Sequence, residues 1–204
     1  MLFSTKRSLL CISNISCMSL YASTIAVPIK VNNPITIGSS TKDTKVATDL
    51  TNTDYNYWST EDSNTYVFHR DKDNSNKYWM TNKQVTIDKD YTLKLITNYN
   101  DGYDFVLSCW NTFTNNGNVI IDKYGVLAID YNNTTTTNPI SNSNNNGTID
   151  IINGELGLLY STTLNNNTKG TITLTDSSYI EFYTNSTLTN KGTIDISNIT
   201  DLSN

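Results

Sequence analysis

Asn145-Asn146-Gly147-Thr148-Ile149-Asp150-Ile151 decides how this chain folds, because the same phrase returns throughout the second half of the sequence. Its copies are Asn115-Asn116-Gly117-Asn118-Val119-Ile120-Ile121, Lys169-Gly170-Thr171-Ile172-Thr173-Leu174 and Asn190-Lys191-Gly192-Thr193-Ile194-Asp195-Ile196. The glycines at 117, 147, 170 and 192 lie 30, 23 and 22 residues apart, a period that signals a solenoid. After each turn the residues alternate: Ile149 and Ile151 are apolar, Thr148 and Asp150 polar. Period two marks a strand with one face buried.

A second strand follows at nearly fixed offset, as Val126-Leu127-Ala128-Ile129, Glu155-Leu156-Gly157-Leu158-Leu159 and Tyr179-Ile180-Glu181-Phe182. A weaker third, around Thr162-Thr163-Leu164 and Ser186-Thr187-Leu188-Thr189, leads into the next Asn-Gly turn. Two or three short strands per coil with Asn or Gly at the corners describe an all-β, right-handed parallel β-helix, whose coils stack at about 4.8 Å. Leucine-rich repeats share the period but need fixed leucines and a helical or irregular return segment, and these units lack that pattern.

Composition agrees. Asn and Thr dominate, and no stretch sets apolar residues at i, i+3, i+4 and i+7, so little helix is expected. With 204 residues and 37% hydrophobic content, the chain can bury one core, rung by rung. The net charge of −5 and the lack of a basic stripe argue against a nucleic-acid partner.

The first segment, residues 1–26, reads as a secretory signal peptide. Lys6 and Arg7 form a positive n-region, an apolar and small-residue run spans Leu9 to Ala22, and Thr24-Ile25-Ala26 supplies a cleavage site. No later run is long and apolar enough to span a membrane. A secreted protein is therefore expected, and the sequons at Asn132, Asn133, Asn146, Asn166, Asn185 and Asn198 become glycosylation candidates. Cys11 and Cys17 leave with the signal and Cys109 stays alone, either as a buried small hydrophobe or with a partner elsewhere. The sequence ends at Asp201-Leu202-Ser203-Asn204 inside what would be the next rung, so truncation of a longer protein is expected.

Residues 27–113 have a different texture from the regular rungs of residues 114–204, because most aromatics sit there. This segment is expected to be an irregular cap plus the first coils, with large rings sealing the open end. A second reading gives it a ligand surface at Tyr55, Tyr57 and Trp58, since exposed aromatics stack on sugars and anchor interfaces. The loop from Tyr131 to Asn145, which lengthens the first interval, is the other binding candidate.

Tyr66-Val67-Phe68, Lys77-Tyr78-Trp79, Gln84-Val85-Thr86-Ile87, Asp104-Phe105-Val106-Leu107, Phe113-Thr114-Asn115-Asn116-Gly117 and Lys123-Tyr124-Gly125-Val126-Leu127 occur in that order. In this, residues 27–204 resemble the N-terminal domain of the hyphally regulated cell-wall proteins, the fungal adhesin-like wall proteins. The resemblance implies a β-helical effector domain acting in adhesion to a host or abiotic surface through a glycan or protein ligand. It further implies a Ser/Thr-rich glycosylated stalk and an anchor signal linking the protein to wall glucan. The sequence carries neither of these last two, which leaves attachment to the fungal cell wall dependent on a longer form.

β-Helices also house polysaccharide lyases and hydrolases, so a secreted carbohydrate-active enzyme is the alternative. Asp150 and Asp195 occupy the same repeat position with Thr173 between them, about 10 Å apart over two rungs, near the wide end of the range for an inverting carboxylate pair. No arginine or histidine supports them within the repeats. His69, the only histidine, cannot build a triad or zinc site alone. Asp71-Lys72-Asp73-Asn74-Ser75-Asn76 begins like a calcium loop, but the sixth residue is Asn76 where Gly is needed, and the twelfth is Asn82 where Glu is needed. The expectation is a non-enzymatic chain without catalytic residues, metal or cofactor.

Overall fold

Each repeat phrase becomes a corner and a strand. Gly147 sits at the corner because a Cβ there would lie 2.0 Å from the carbonyl oxygen of Gly117 one coil earlier, and Gly192 meets Gly170 in the same way at 2.1 Å. No side chain fits so close a backbone approach. The strand that follows then alternates, with Ile149 and Ile151 fully buried and Thr148 and Asp150 outward.

In the computed structural model, residues 27–31, 34–38, 58–70, 77–97, 105–130, 142–175 and 177–199 are described. These residues form strands, turns and bends without a helix. The strands stack as a parallel β-solenoid with three strands per coil, which settles the choice between two and three. One full coil runs β4 (Thr65–Arg70), β5 (Lys77–Thr81) and β6 (Val85–Ile87), and the next runs β7 (Thr92–Thr97), β8 (Phe105–Cys109) and β9 (Phe113–Asn115). Then come β10 (Asn118–Asp122), β11 (Val126–Ile129) and β12 (Asn142–Asn145), followed by β13 (Thr148–Ile152), β14 (Glu155–Leu158) and β15 (Thr163–Asn166). The last coil is β16 (Thr171–Thr175), β17 (Tyr179–Phe182) and β18 (Thr187–Asn190), with β19 (Thr193–Asn198) beginning another. At the other end lie β1 (Val27–Val31), β2 (Ile35–Ile37) and β3 (Trp58–Thr60). Sheet A takes β1, β5, β8, β11, β14 and β17; sheet B takes β2, β6, β9, β12, β15 and β18; sheet C takes the rest.

Every pairing is parallel except β3 with β4, where Trp58 lies opposite Phe68 and an antiparallel strand closes one edge of sheet C. Strands from the described part of residues 27–113 take part in all three sheets, β3 being the one that runs antiparallel at the edge. Its rings are core: Phe68, Trp79 and Phe113 are fully buried, and Phe68 meets Trp79 with ring centroids 4.8 Å apart. In the loop expected from Tyr131 to Asn145, the last four residues are instead strand β12.

The inward columns follow the register. Val119, Ile149, Ile172 and Ile194 pair in succession down sheet C, as do Ile121, Ile151 and Leu174. The end of the column is less covered than its middle. Ile194 is in register but 37% exposed, and a register shift between Thr173 and Thr175 disturbs the alignment around Ile196, which is 45% exposed. Both lie on the last strand of their sheet, where no further described coil covers them.

Cys109 is a buried free thiol, the first of its two sequence readings. It packs in the core cluster and its Sγ donates to the carbonyl of Asn111 at 3.4 Å. Burial pushes its pKa up to about 12.

Candidate binding surface

The B to C corner is held by asparagine amides stacked inside the coil. Asn115 Nδ2 donates to Asn145 Oδ1 at 2.8 Å, Asn145 Nδ2 to Asn166 Oδ1 at 2.8 Å, and Asn166 Nδ2 to Asn190 Oδ1 at 2.7 Å. Each of these donors also reaches the first backbone carbonyl of the sheet C strand one coil further on: Thr148 at 2.9 Å, Thr171 at 3.2 Å and Thr193 at 3.0 Å. A buried amide is tolerated because the coil above satisfies it, as in other asparagine ladders. Toward the first coils the same column is apolar, with Ile37 and Ile87 paired in line with Asn115. A second ladder lies one residue further on, outside: Asn146 Nδ2 donates to Asn116 Oδ1 at 2.9 Å and Asn167 Nδ2 to Asn146 Oδ1 at 2.8 Å. Together the ladders fix the corner between two wall faces.

The three walls differ in what they offer. Sheet A is covered on both sides at β11 and β14, since Val126, Ala128 and Glu155 are buried although they alternate with the inward Leu127, Ile129 and Leu156. Sheet C is open and carries charge: Lys94, Asp150 and Asp195 lie on its outward positions, and Lys94 pairs with Glu61 at 2.9 Å. Sheet B is open and neutral. Its central outward column is Thr36, Thr86, Thr114, Asn144, Asn165 and Thr189, paired in register strand by strand. Beside it run Asn142, Thr163 and Thr187. Among the described residues, no hydrogen bond engages the hydroxyls of Thr86, Thr114, Thr163, Thr187 or Thr189, whereas Asn144 and Asn165 are fixed by bonds to the backbone of Asn142 and Ser143. At the A to B corner bordering this wall, Tyr160 is 49% exposed and its ring centroid lies 6.3 Å from that of Tyr183, tilted by 38°.

The carboxylates flagged by the repeat are in register as expected, Asp150 to Thr173 to Asp195. The hydroxyl and backbone N–H of Ser197, the latter at 2.8 Å, hold the Asp195 carboxyl below the usual carboxylate range. A general acid needs the opposite shift. His69 lies in β4, paired with Ile96. Among the described residues, no group of His, Cys, Asp and Glu is arranged to hold a metal ion.

Tyr55 and Tyr57 lie outside the described residues, as do residues 71–76, 131–141 and Asn132 and Asn133. Trp58 is the first residue of β3. Of the remaining sequons, Asn185 is exposed in a left-handed turn with φ 60° and Asn198 is exposed at the end of β19. Asn146 is half-buried in the outer ladder. Asn166 is fully buried with its amide nitrogen engaged twice, so in the folded coil it has no room for a glycan. Tyr160 and Tyr183 were not singled out from sequence. Their separation of 23 residues, one coil period, was the available signal. No protein-family model, curated protein or solved structure matches this chain. No helix among the described residues is long and apolar enough to cross a membrane.

Proposed function

We propose that this chain is a secreted, non-enzymatic, adhesin-like protein of the fungal cell wall, in which the solenoid is a stiff body that presents a binding wall to another surface. The observation that carries this reading is the open, in-register outer face of sheet B, which runs from Thr36 to Thr189. Ladders of buried amides hold its corner, so the wall is ordered before any ligand arrives, and binding loses little side-chain entropy. The alternative, a secreted carbohydrate-active enzyme, would need a general acid beside Asp195, whose own carboxyl is held in the ionised form and fits only the base of such a pair. Beads coated with the purified protein should adhere to host-cell or plastic surfaces above albumin-coated beads, and polysaccharide substrates should gain no new reducing ends. Adhesion no greater than albumin, or release of reducing sugar, would overturn the reading.

A further inference from the structure

Sheet B is the one open wall whose outward positions carry only threonine and asparagine, although the chain as a whole bears a net charge of −5. Among the described residues, charged side chains come only at its margin, where Lys83 precedes β6 and Asp88 and Lys191 follow their strands. Such a wall offers nothing to an anionic or cationic polymer beyond neutral donors and acceptors. Its outward Thr and Asn side chains repeat every rung, about 4.8 Å apart along the solenoid axis, with a hydroxyl on every rung except β12, which presents Asn142 and Asn144. Among the described residues, the hydroxyls of Thr86, Thr114, Thr163, Thr187 and Thr189 meet no hydrogen-bonding partner. Threonine is stiff at χ1, so the row is ordered without cross-bonding.

We infer that the outer face of sheet B binds an extended, neutral polysaccharide laid along the solenoid axis, with Tyr160 and Tyr183 stacking on its sugar rings at the A to B corner. Three features select this occupant. The absence of charge on the face matches a polymer without charge. The equal steps of these neutral Thr and Asn donors and acceptors match a ligand that repeats its hydroxyls at equal steps, and a sugar residue in an extended glycan is about as long as a rung is high. Exposed Tyr160, packed against half-buried Tyr183 one coil on, supplies the flat apolar surface that sugar C–H faces need. Each contact is weak, and affinity arises from the number of rungs engaged, as in any multivalent array. This inference rests on the adhesive reading for its biological sense and names the ligand class of that same wall.

The test is co-sedimentation of the full chain with insoluble chitin and with β-1,3-glucan particles. The double variant Thr114→Arg, Asn165→Arg places two long cations in the central row without touching the core. It should lower the bound fraction at least about ten-fold, a loss of roughly 1.4 kcal/mol. Tyr160→Ala, at an exposed position, should weaken binding with an unchanged thermal transition. Thr171→Arg, Thr173→Arg on sheet C is the matched control and should bind like the parent. Binding by the sheet B variant within two-fold of the parent, or equal loss in the sheet C control, would overturn the assignment. So would failure of the parent to sediment with either polysaccharide, and its concentration into ice grown slowly from solution would then give the wall to ordered water instead. The bead assay separates the two readings. Adhesion that survives in the sheet B variant leaves the adhesive function standing without this ligand, whereas polysaccharide binding by a parent that does not adhere leaves the ligand standing without the function.

Discussion

Replacing Asn145 by alanine should be among the costliest single changes in the chain, though it removes a polar residue from a coil whose mass is apolar. Asn145 is fully buried and its amide makes three hydrogen bonds, accepting from Asn115 and donating to Asn166 and to the carbonyl of Thr171. Truncation leaves Asn166 Oδ1 without its donor and strips one donor from the Thr171 carbonyl, while Asn115 keeps the Thr148 carbonyl. Two buried acceptors losing a partner at about 1–3 kcal/mol each gives a total of about 2–6 kcal/mol. That is a large share of the roughly 5–15 kcal/mol that holds an ordinary domain together. Asn145→Asp should be worse at neutral pH. A buried carboxylate facing Asn166 Oδ1 and the Thr171 carbonyl would have its folded-state pKa raised, so the variant should be least destabilised below about pH 4 and should lose stability as pH rises. Urea unfolding followed by circular dichroism at pH 4 and pH 7 would read both effects as midpoint shifts, with Thr114→Ala as the outward control. An Asn145→Ala midpoint equal to that of Thr114→Ala would refute the claim that the ladder holds the corner.

Ile172→Ala should cost about 2–5 kcal/mol as a large-to-small change in a filled column, while Thr173→Ala should be nearly neutral; equal costs in chemical unfolding would show the inside and outside faces to be misassigned. The Cys109 thiol should resist Ellman's reagent until the chain unfolds. Because burial raises its pKa from 9.0 to about 12, its contribution is fully present below pH 9 and is lost as pH climbs toward 12, so Cys109→Ala should flatten part of the alkaline fall in stability. Rapid labelling of the native protein at pH 8 would contradict the burial. The exposed Ile194 and Ile196 on the edge strand β19 should drive self-association, visible as concentration-dependent sedimentation and relieved by Ile194→Lys, Ile196→Lys. A monomer at all concentrations would mean that this edge is covered.

The repeat phrase alone determined the strands, their parallel stacking and the inward column, because a period of two and a corner glycine leave the backbone one way to turn. It identified Ile149, Ile151, Ile172 and Leu174 as core and aligned Asp150 with Asp195. It did not separate Asn166, whose amide is sealed inside the coil, from Asn185, which is exposed, since both are Asn followed two residues later by Ser or Thr. Nor did it show that four residues of an apparent loop are strand β12, because Asn142–Asn145 has no alternation of apolar and polar types and owes its strand to partners in β9 and β15. The difference between the walls belonged to tertiary structure entirely. Val126, Ala128 and Glu155 alternate with their inward neighbours as the outward residues of sheet B do, yet they are buried and the sheet B residues are not. Alternation tells which residues leave the coil interior, but only packing against the rest of the chain decides whether they then meet water, and with it which wall is free to bind.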